Sequence, residues 1–139
     1  MNVLVIDAQG GGLGKQLVAA IKREIPTAYV TAVGTNNTAA MAMLKAGADE
    51  AATGENPVLV ACRKADVIIG PVGIVIADSL LGEITEKMAL AIARSDAKRI
   101  LIPFNQCANM IVGVPDFSLN TMVVKVIEEV KKMENRLDR

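Results

Sequence analysis

Histidine is missing altogether from these 139 residues, and so is tryptophan. Without histidine there can be no Ser-His-Asp or Cys-His machinery, no imidazole general base and few zinc or iron sites. Aromatic side chains are nearly absent too, with Tyr29, Phe104 and Phe117 alone. That is too few for a platform on which nucleic-acid bases stack. Lysine and arginine number 15 and the acidic residues 15, so no net charge draws the chain to a polyanion. Nucleic acid is therefore not an expected partner. Nor is a membrane, because no apolar run reaches the roughly 18 residues that a spanning helix needs. Met1 leads into a strand-like run rather than a basic leader, which points to the cytoplasm. Cys62 and Cys107 are too few for a disulfide framework and too far apart for a zinc knuckle, and no metal is expected.

What is present begins with a strand running into a glycine cluster. Val3, Leu4, Val5 and Ile6 are β-favouring, and Asp7, Ala8, Gln9, Gly10, Gly11, Gly12, Leu13, Gly14 and Lys15 follow. A helical pattern starts at once, with Leu13, Leu17, Val18, Ile21 and Ile25 on one face. Strand, glycine turn and helix open a nucleotide-binding α/β unit. Glycine lets a phosphate approach the backbone, and the unpaired N–H groups of the first helical turn point at that anion. The known signatures fit in part only. Read as G-x-G-x-x-G, the run gives Gly10 and Gly12 but ends on Lys15. Read as a Walker A loop, Gly14 and Lys15 match, while Gln9 and Gln16 replace the first glycine and the magnesium-binding hydroxyl. Two readings compete: a phosphate cradle, or a turn that serves close strand–helix packing.

Further along, apolar runs at 28–33, 49–52, 66–69 and 100–104 read as strands, with a short final strand at 111–114. Residues 74–76 either extend the fourth strand or form a separate segment, and the polar tail 135–139 reads as frayed. Helical patterns alternate with the strands. The chain is thus expected to be one α/β domain over 1–139, a doubly wound Rossmann-like three-layer sandwich with a mostly parallel sheet of about five strands ordered 3-2-1-4-5. Connections from helix to strand are short. Those from strand to helix are long, polar and glycine-rich, and include Gly34, Thr35 and Asn36, then Gly70, Pro71 and Gly73, then the Asn105, Cys107 and Asn109 stretch. In such sheets that is the edge where ligands bind.

Four motifs, Ile6-Asp7-Ala8-Gln9-Gly10-Gly11-Gly12-Leu13-Gly14, Gly34-Thr35-Asn36, Ala52-Thr53-Gly54-Glu55-Asn56 and Gly70-Pro71-Val72-Gly73-Ile74, span most of the chain. Together they resemble a family of short bacterial proteins catalogued as a domain of unknown function. The resemblance implies a small bacterial Rossmann-like protein, with no activity, substrate or catalytic residue attached.

A dinucleotide-binding domain usually carries an acid at the end of its second strand to hold a ribose hydroxyl. Here Val33, Gly34, Thr35 and Asn36 stand there, leaving Thr35 or Asn36 a neutral hydrogen bond at most. That moves weight from NAD(P) toward a mononucleotide, a flavin-like phosphate or another phosphorylated metabolite, with NAD(P) still the best single named cofactor. The expected contacts are Gln9, Gly10, Gly11, Gly12, Leu13, Gly14, Lys15, Gly34, Thr35, Asn36, Gly70, Pro71 and Gly73.

The acid–base candidates are Glu55, Asp7 and Asp78, each with a structural alternative: first-turn helix carboxylate for Glu55, organiser of the turn for Asp7 and helix cap for Asp78. Asp78 or Ser79 reads as a helix cap, and Cys107 as a small thiol with no histidine to activate it. A binding module, a small enzyme on a phosphorylated or nucleotide-linked substrate, and an interaction subunit without ligand all remain open. So apolar and methionine-bearing a composition also predicts a homodimer, through the Ala39 and Met43 face or the C-terminal helix. Met41, Met43 and Leu44 read as core.

Overall fold

The computed structural model describes residues 1–104 and 108–138. In chain order it contains β1 (Asn2–Asp7), α1 (Gly12–Glu24), β2 (Tyr29–Gly34), α2 (Asn37–Lys45), β3 (Glu50–Thr53), α3 (Glu55–Cys62), β4 (Val67–Pro71), α4 (Glu86–Arg94), β5 (Lys98–Ile102) and α5 (Leu119–Leu137). One 3₁₀ turn, Val72–Val75, follows β4.

All strand pairs are parallel, in the order β3-β2-β1-β4-β5. The alternation of side chains along β1 explains the two layers of helices. Val3 and Val5 face a core shared with α1, α5 and Met43 of α2, while Leu4 and Ile6 face one shared with α3 and α4. This is the doubly wound Rossmann-like sandwich expected, with β1 central. The chain turns from one half of the sheet to the other between β1 and β4, so the topological switch point lies at the carboxyl ends of those two strands.

Several local expectations fail for identifiable reasons. No strand forms at 111–114: Val114 N–H donates to Ile111 C=O in a turn, and Gly113 has φ of 82°, outside strand geometry. Of the two readings for residues 74–76 the separate segment holds, because the 3₁₀ turn Val72–Val75 bends the chain away from β4. Strand β5 starts two residues early, at Lys98, because an edge strand tolerates the charged side chains that read as a connection. Helix α5 runs to Leu137 rather than fraying at 135.

The Ala39 and Met43 face is not available for self-association. Both residues are 0% exposed, and Met43 sits inside the core beneath α1. Met41 and Leu44, expected in the core, are instead exposed. The exposed apolar side chains elsewhere include Met110 and Val112 beyond β5, and Val124 on α5.

Candidate functional site

Asp7 ends β1 and organises the turn. Its side chain is 5% exposed, and its two carboxylate oxygens accept the N–H groups of Ala8 (2.8 Å) and Gly14 (2.7 Å). Helix α1 has no side-chain cap of its own, since its N-cap is Gly11. Asp7 therefore caps it from the preceding strand. Burial raises its pKa above 3.8, the two backbone N–H groups oppose that rise, and the charge of Glu83 adds to it.

The glycines divide into two kinds. Gly11 has φ of 74°, and a Cβ there would lie 2.8 Å from the Ala39 Cα. A Cβ on Gly14 would lie 2.8 Å from the Asp7 Cβ and 2.6 Å from the Met43 sulfur. These two are packing glycines. Gly10 and Gly12 differ: neither has a left-handed φ, and among the described residues a Cβ at either meets nothing within 4 Å. Nothing among the described residues asks for glycine there.

A cleft of about 250 Å³ opens over this turn. Asp7, Ala8, Gln9, Gly10, Gly11, Gly12, Leu13 and Gln16 form one side, and Pro71, Leu80, Phe104 and Leu119 the other. Its location is the switch point between β1 and β4. Gly11 N–H is held by Ala8 C=O (3.1 Å), Gly14 N–H by Asp7, and Lys15 N–H by Gly11 C=O (2.9 Å). The N–H groups of Gly12 and Leu13, in the first turn of α1, have no partner among the described residues.

The other expected contacts fall into place unevenly. Lys15 is exposed and lines a broad 780 Å³ depression between α1 and α2, together with Met41 and Lys45, and not the cleft. Gly34 and Gly70 are tight packing positions, with a Cβ 2.4 Å from the Ala40 nitrogen and 2.5 Å from the Ile6 carbonyl oxygen, respectively. Gly73 lies against Ser79 and Leu80. Thr35 N–H donates to Asp7 C=O (3.1 Å), and its buried hydroxyl has no partner among the described residues. Asn36 caps α2, its Oδ1 accepting Ala39 N–H at 2.9 Å.

Glu55 lies in the first turn of α3, outside the cleft, and accepts a hydrogen bond from the Thr85 hydroxyl (2.6 Å). The cap of α4 is Thr85, not Asp78 or Ser79. Asp78 adopts φ of 63° in the strap before α4, and the Ser79 hydroxyl donates to Gly73 C=O. The Cys62 thiol is pushed up to about 11 by burial, which disfavours its thiolate. Cys107 lies outside the described residues.

Sequence reasoning missed Glu83. Its Oε2 accepts Gln9 N–H at 2.6 Å and its Oε1 accepts the Asn36 side-chain amide at 2.8 Å, which ties the glycine turn to the end of β2. No local signal marks it, because Gly82, Glu83 and Ile84 form no motif and the contact spans 74 residues. Leu80 and Leu119 were missed for the same reason.

Residues 2–135 match the family described as Domain of unknown function (DUF3842). The chain belongs to that family. No curated protein matches it in sequence. Among solved structures, a dodecameric FMN-dependent UbiX-like decarboxylase from Escherichia coli O157:H7 is similar over 94% of this chain and 95% of its own, at 17% identity and a TM-score of 0.46. At that distance nothing of its ligand or assembly passes to this DUF3842 protein.

A larger groove of about 410 Å³ crosses the opposite face of the sheet, between α3 and β2–β3, over Leu4, Val33, Ala52 and Val60. It holds none of the expected site residues. Among the described residues, no helix is long and apolar enough to cross a membrane.

Proposed function

We propose that this DUF3842 protein binds a small phosphate-bearing ligand, of mononucleotide size, in the cleft over its glycine turn. One observation carries the reading. Among the described residues nothing stands against Gly10 or Gly12, and neither has a left-handed φ, so their missing side chains serve something that comes close from outside. The N–H groups of Gly12 and Leu13 supply the donors, and the positive end of α1 lies behind them.

Magnitudes shape the ligand. Two hydrogen bonds to a charged phosphate contribute about 1.5–3 kcal/mol each. Millimolar affinity needs about 4 kcal/mol and micromolar about 8. The turn alone thus holds phosphate weakly, and burial of an apolar or flat body against Pro71, Leu80, Phe104 and Leu119 supplies the rest. A cleft of about 250 Å³ suits a phosphate with one nucleoside better than a whole dinucleotide.

The acid–base reading fares less well. Asp7 would have to give up one of its two amide partners, and Glu55 lies outside the cleft. A homodimer belongs to the same proposal, through the exposed apolar side chains beyond β5 and on α5 rather than the buried face of α2.

With no tryptophan and one tyrosine, the protein hardly absorbs in the near ultraviolet, so a co-purified nucleotide or flavin dominates its spectrum. The expected outcome is such a spectrum, or a thermal shift with mononucleotides that Gly12→Val abolishes. A clean spectrum with no shift from any nucleotide, flavin or inorganic phosphate leaves the turn as packing alone.

A further inference from the structure

Dinucleotides lie across the switch point of such sheets, with the pyrophosphate on the glycine turn and one ribose hydrogen-bonded at the end of the second strand. In this protein that second location is filled by the chain's own atoms. The Asn36 amide has two donor hydrogens, one given to Gln9 C=O (2.9 Å) and one to Glu83 (2.8 Å). Its oxygen accepts Ala39 N–H. Glu83 in turn covers Gln9 N–H. Gln9, Glu83 and Asn36 thus form a continuous bridge from the β1 turn to the β2 end. The cleft follows suit: Pro71 at the end of β4 lines it, and no residue of 34–37 does.

The bridge is not a loose side chain. Leu80 and Ile84, on either side of Glu83, are 2% and 0% exposed. Asp78 N–H donates to Ile84 C=O (2.8 Å), closing the strap between them. Asp78, Leu80 and Leu81 all adopt positive φ, a conformation that persists only where the surroundings enforce it.

We propose that Glu83 determines the size class of ligand: by bridging Gln9 and Asn36 it closes the β2 side of the crevice, admits one nucleoside phosphate along the β4 side and excludes dinucleotides. The inference rests on the phosphate reading of the turn. It adds a residue, a direction and a selectivity to that reading.

The test measures binding of pyrophosphate and NAD⁺ by titration calorimetry or amide chemical shifts. The proteins are the wild type, Glu83→Ala and Glu83→Asp, each checked for native amide dispersion. Pyrophosphate reports on the turn alone. It is expected to bind all three proteins within about threefold, since neither N–H of the cradle is Glu83's partner. NAD⁺ is expected to bind the wild type no tighter than pyrophosphate does, and at least tenfold tighter once Glu83 is Ala. Glu83→Asp keeps the charge but is one methylene too short to span both partners, so it too gains NAD⁺ affinity if the bridge is what excludes. Pyrophosphate binding with NAD⁺ affinity unchanged in Glu83→Ala overturns the role of Glu83 and leaves the phosphate reading standing. A wild type that already binds NAD⁺ more tightly than pyrophosphate overturns it as well. Failure of pyrophosphate to bind any of the three overturns the phosphate reading, and this inference with it.

Discussion

The two edges of the sheet solve the same problem with the same side chain and reach opposite electrostatic results. At the amino edge, Val30 N–H is accepted by Asp49 (2.7 Å), and Lys22 reaches the same carboxylate at 3.0 Å. Asn2 N–H is accepted likewise by Asp66 (2.7 Å). At the carboxyl edge, Asp7 accepts two N–H groups but is buried, has no cation beside it among the described residues and feels the charge of Glu83. The pKa of Asp49 is accordingly lowered, by the Val30 N–H first and Lys22 next, whereas that of Asp7 is raised. The first edge is closed, with short connections and paired charge. The second carries, among the described residues, two backbone donors without partners and a carboxylate whose pKa is raised, the combination on which the proposed ligand site rests.

The sharpest test of that contrast lies within the glycine turn. Gly11→Ala forces a left-handed residue against the Ala39 backbone. Roughly 1–2 kcal/mol of backbone strain and roughly 1–3 kcal/mol of overpacking should follow, read as a lower urea midpoint. Gly10→Ala and Gly12→Ala should leave stability unchanged or raise it by up to about 1 kcal/mol, while ligand binding weakens at Gly12. Equal losses at all positions would mean that the whole turn is packing.

Next in size is the pair of carboxylates. Asp7→Asn turns one oxygen into a donor that faces a buried N–H, and should cost about 1–3 kcal/mol. Asp49→Asn removes a half-exposed ion pair, where effects run to about 1 kcal/mol or less. Chemical unfolding of both variants at neutral pH compares them directly, and a larger loss at Asp49 would reverse the ranking of the edges.

Smallest is the pH dependence, and its sign differs between the two. Asp49, lowered from 3.8, adds stability that is present above that value and lost as the pH falls through its folded pKa. Asp7, raised from 3.8, favours the folded state most when protonated, and that contribution fades as the pH rises from 3.8 through its folded pKa. Unfolding midpoints between pH 3 and 7 should therefore fall less steeply on the acid side in Asp49→Asn than in the wild type. In Asp7→Asn they should fall more steeply. The same slope in both variants would remove the electrostatic distinction.

Much of this molecule was legible from local patterns. The alternation of Val3, Leu4, Val5 and Ile6 between two faces, the helical spacing of Leu13, Leu17 and Ile21, and the placing of long loops at one edge are short-range features. Each is set by strand pleat, helix period and turn chemistry within a few residues. They sufficed for an all-parallel sheet with β1 at its centre.

What needed the tertiary structure was everything decided at long range. Whether a glycine is there for packing depends on what stands opposite it, and Ala39 and Met43 reach Gly11 and Gly14 only once α2 has docked. Lys15, one residue from the turn in sequence, is carried by the helical rotation to the α1–α2 side. Glu83 bridges to Gln9 across 74 residues, and no spacing rule encodes that distance. The sequence by itself determined the frame, because periodicity and propensity are local. The folded chain decided which polar groups were left without partners, because hydrogen-bond satisfaction is a property of the whole.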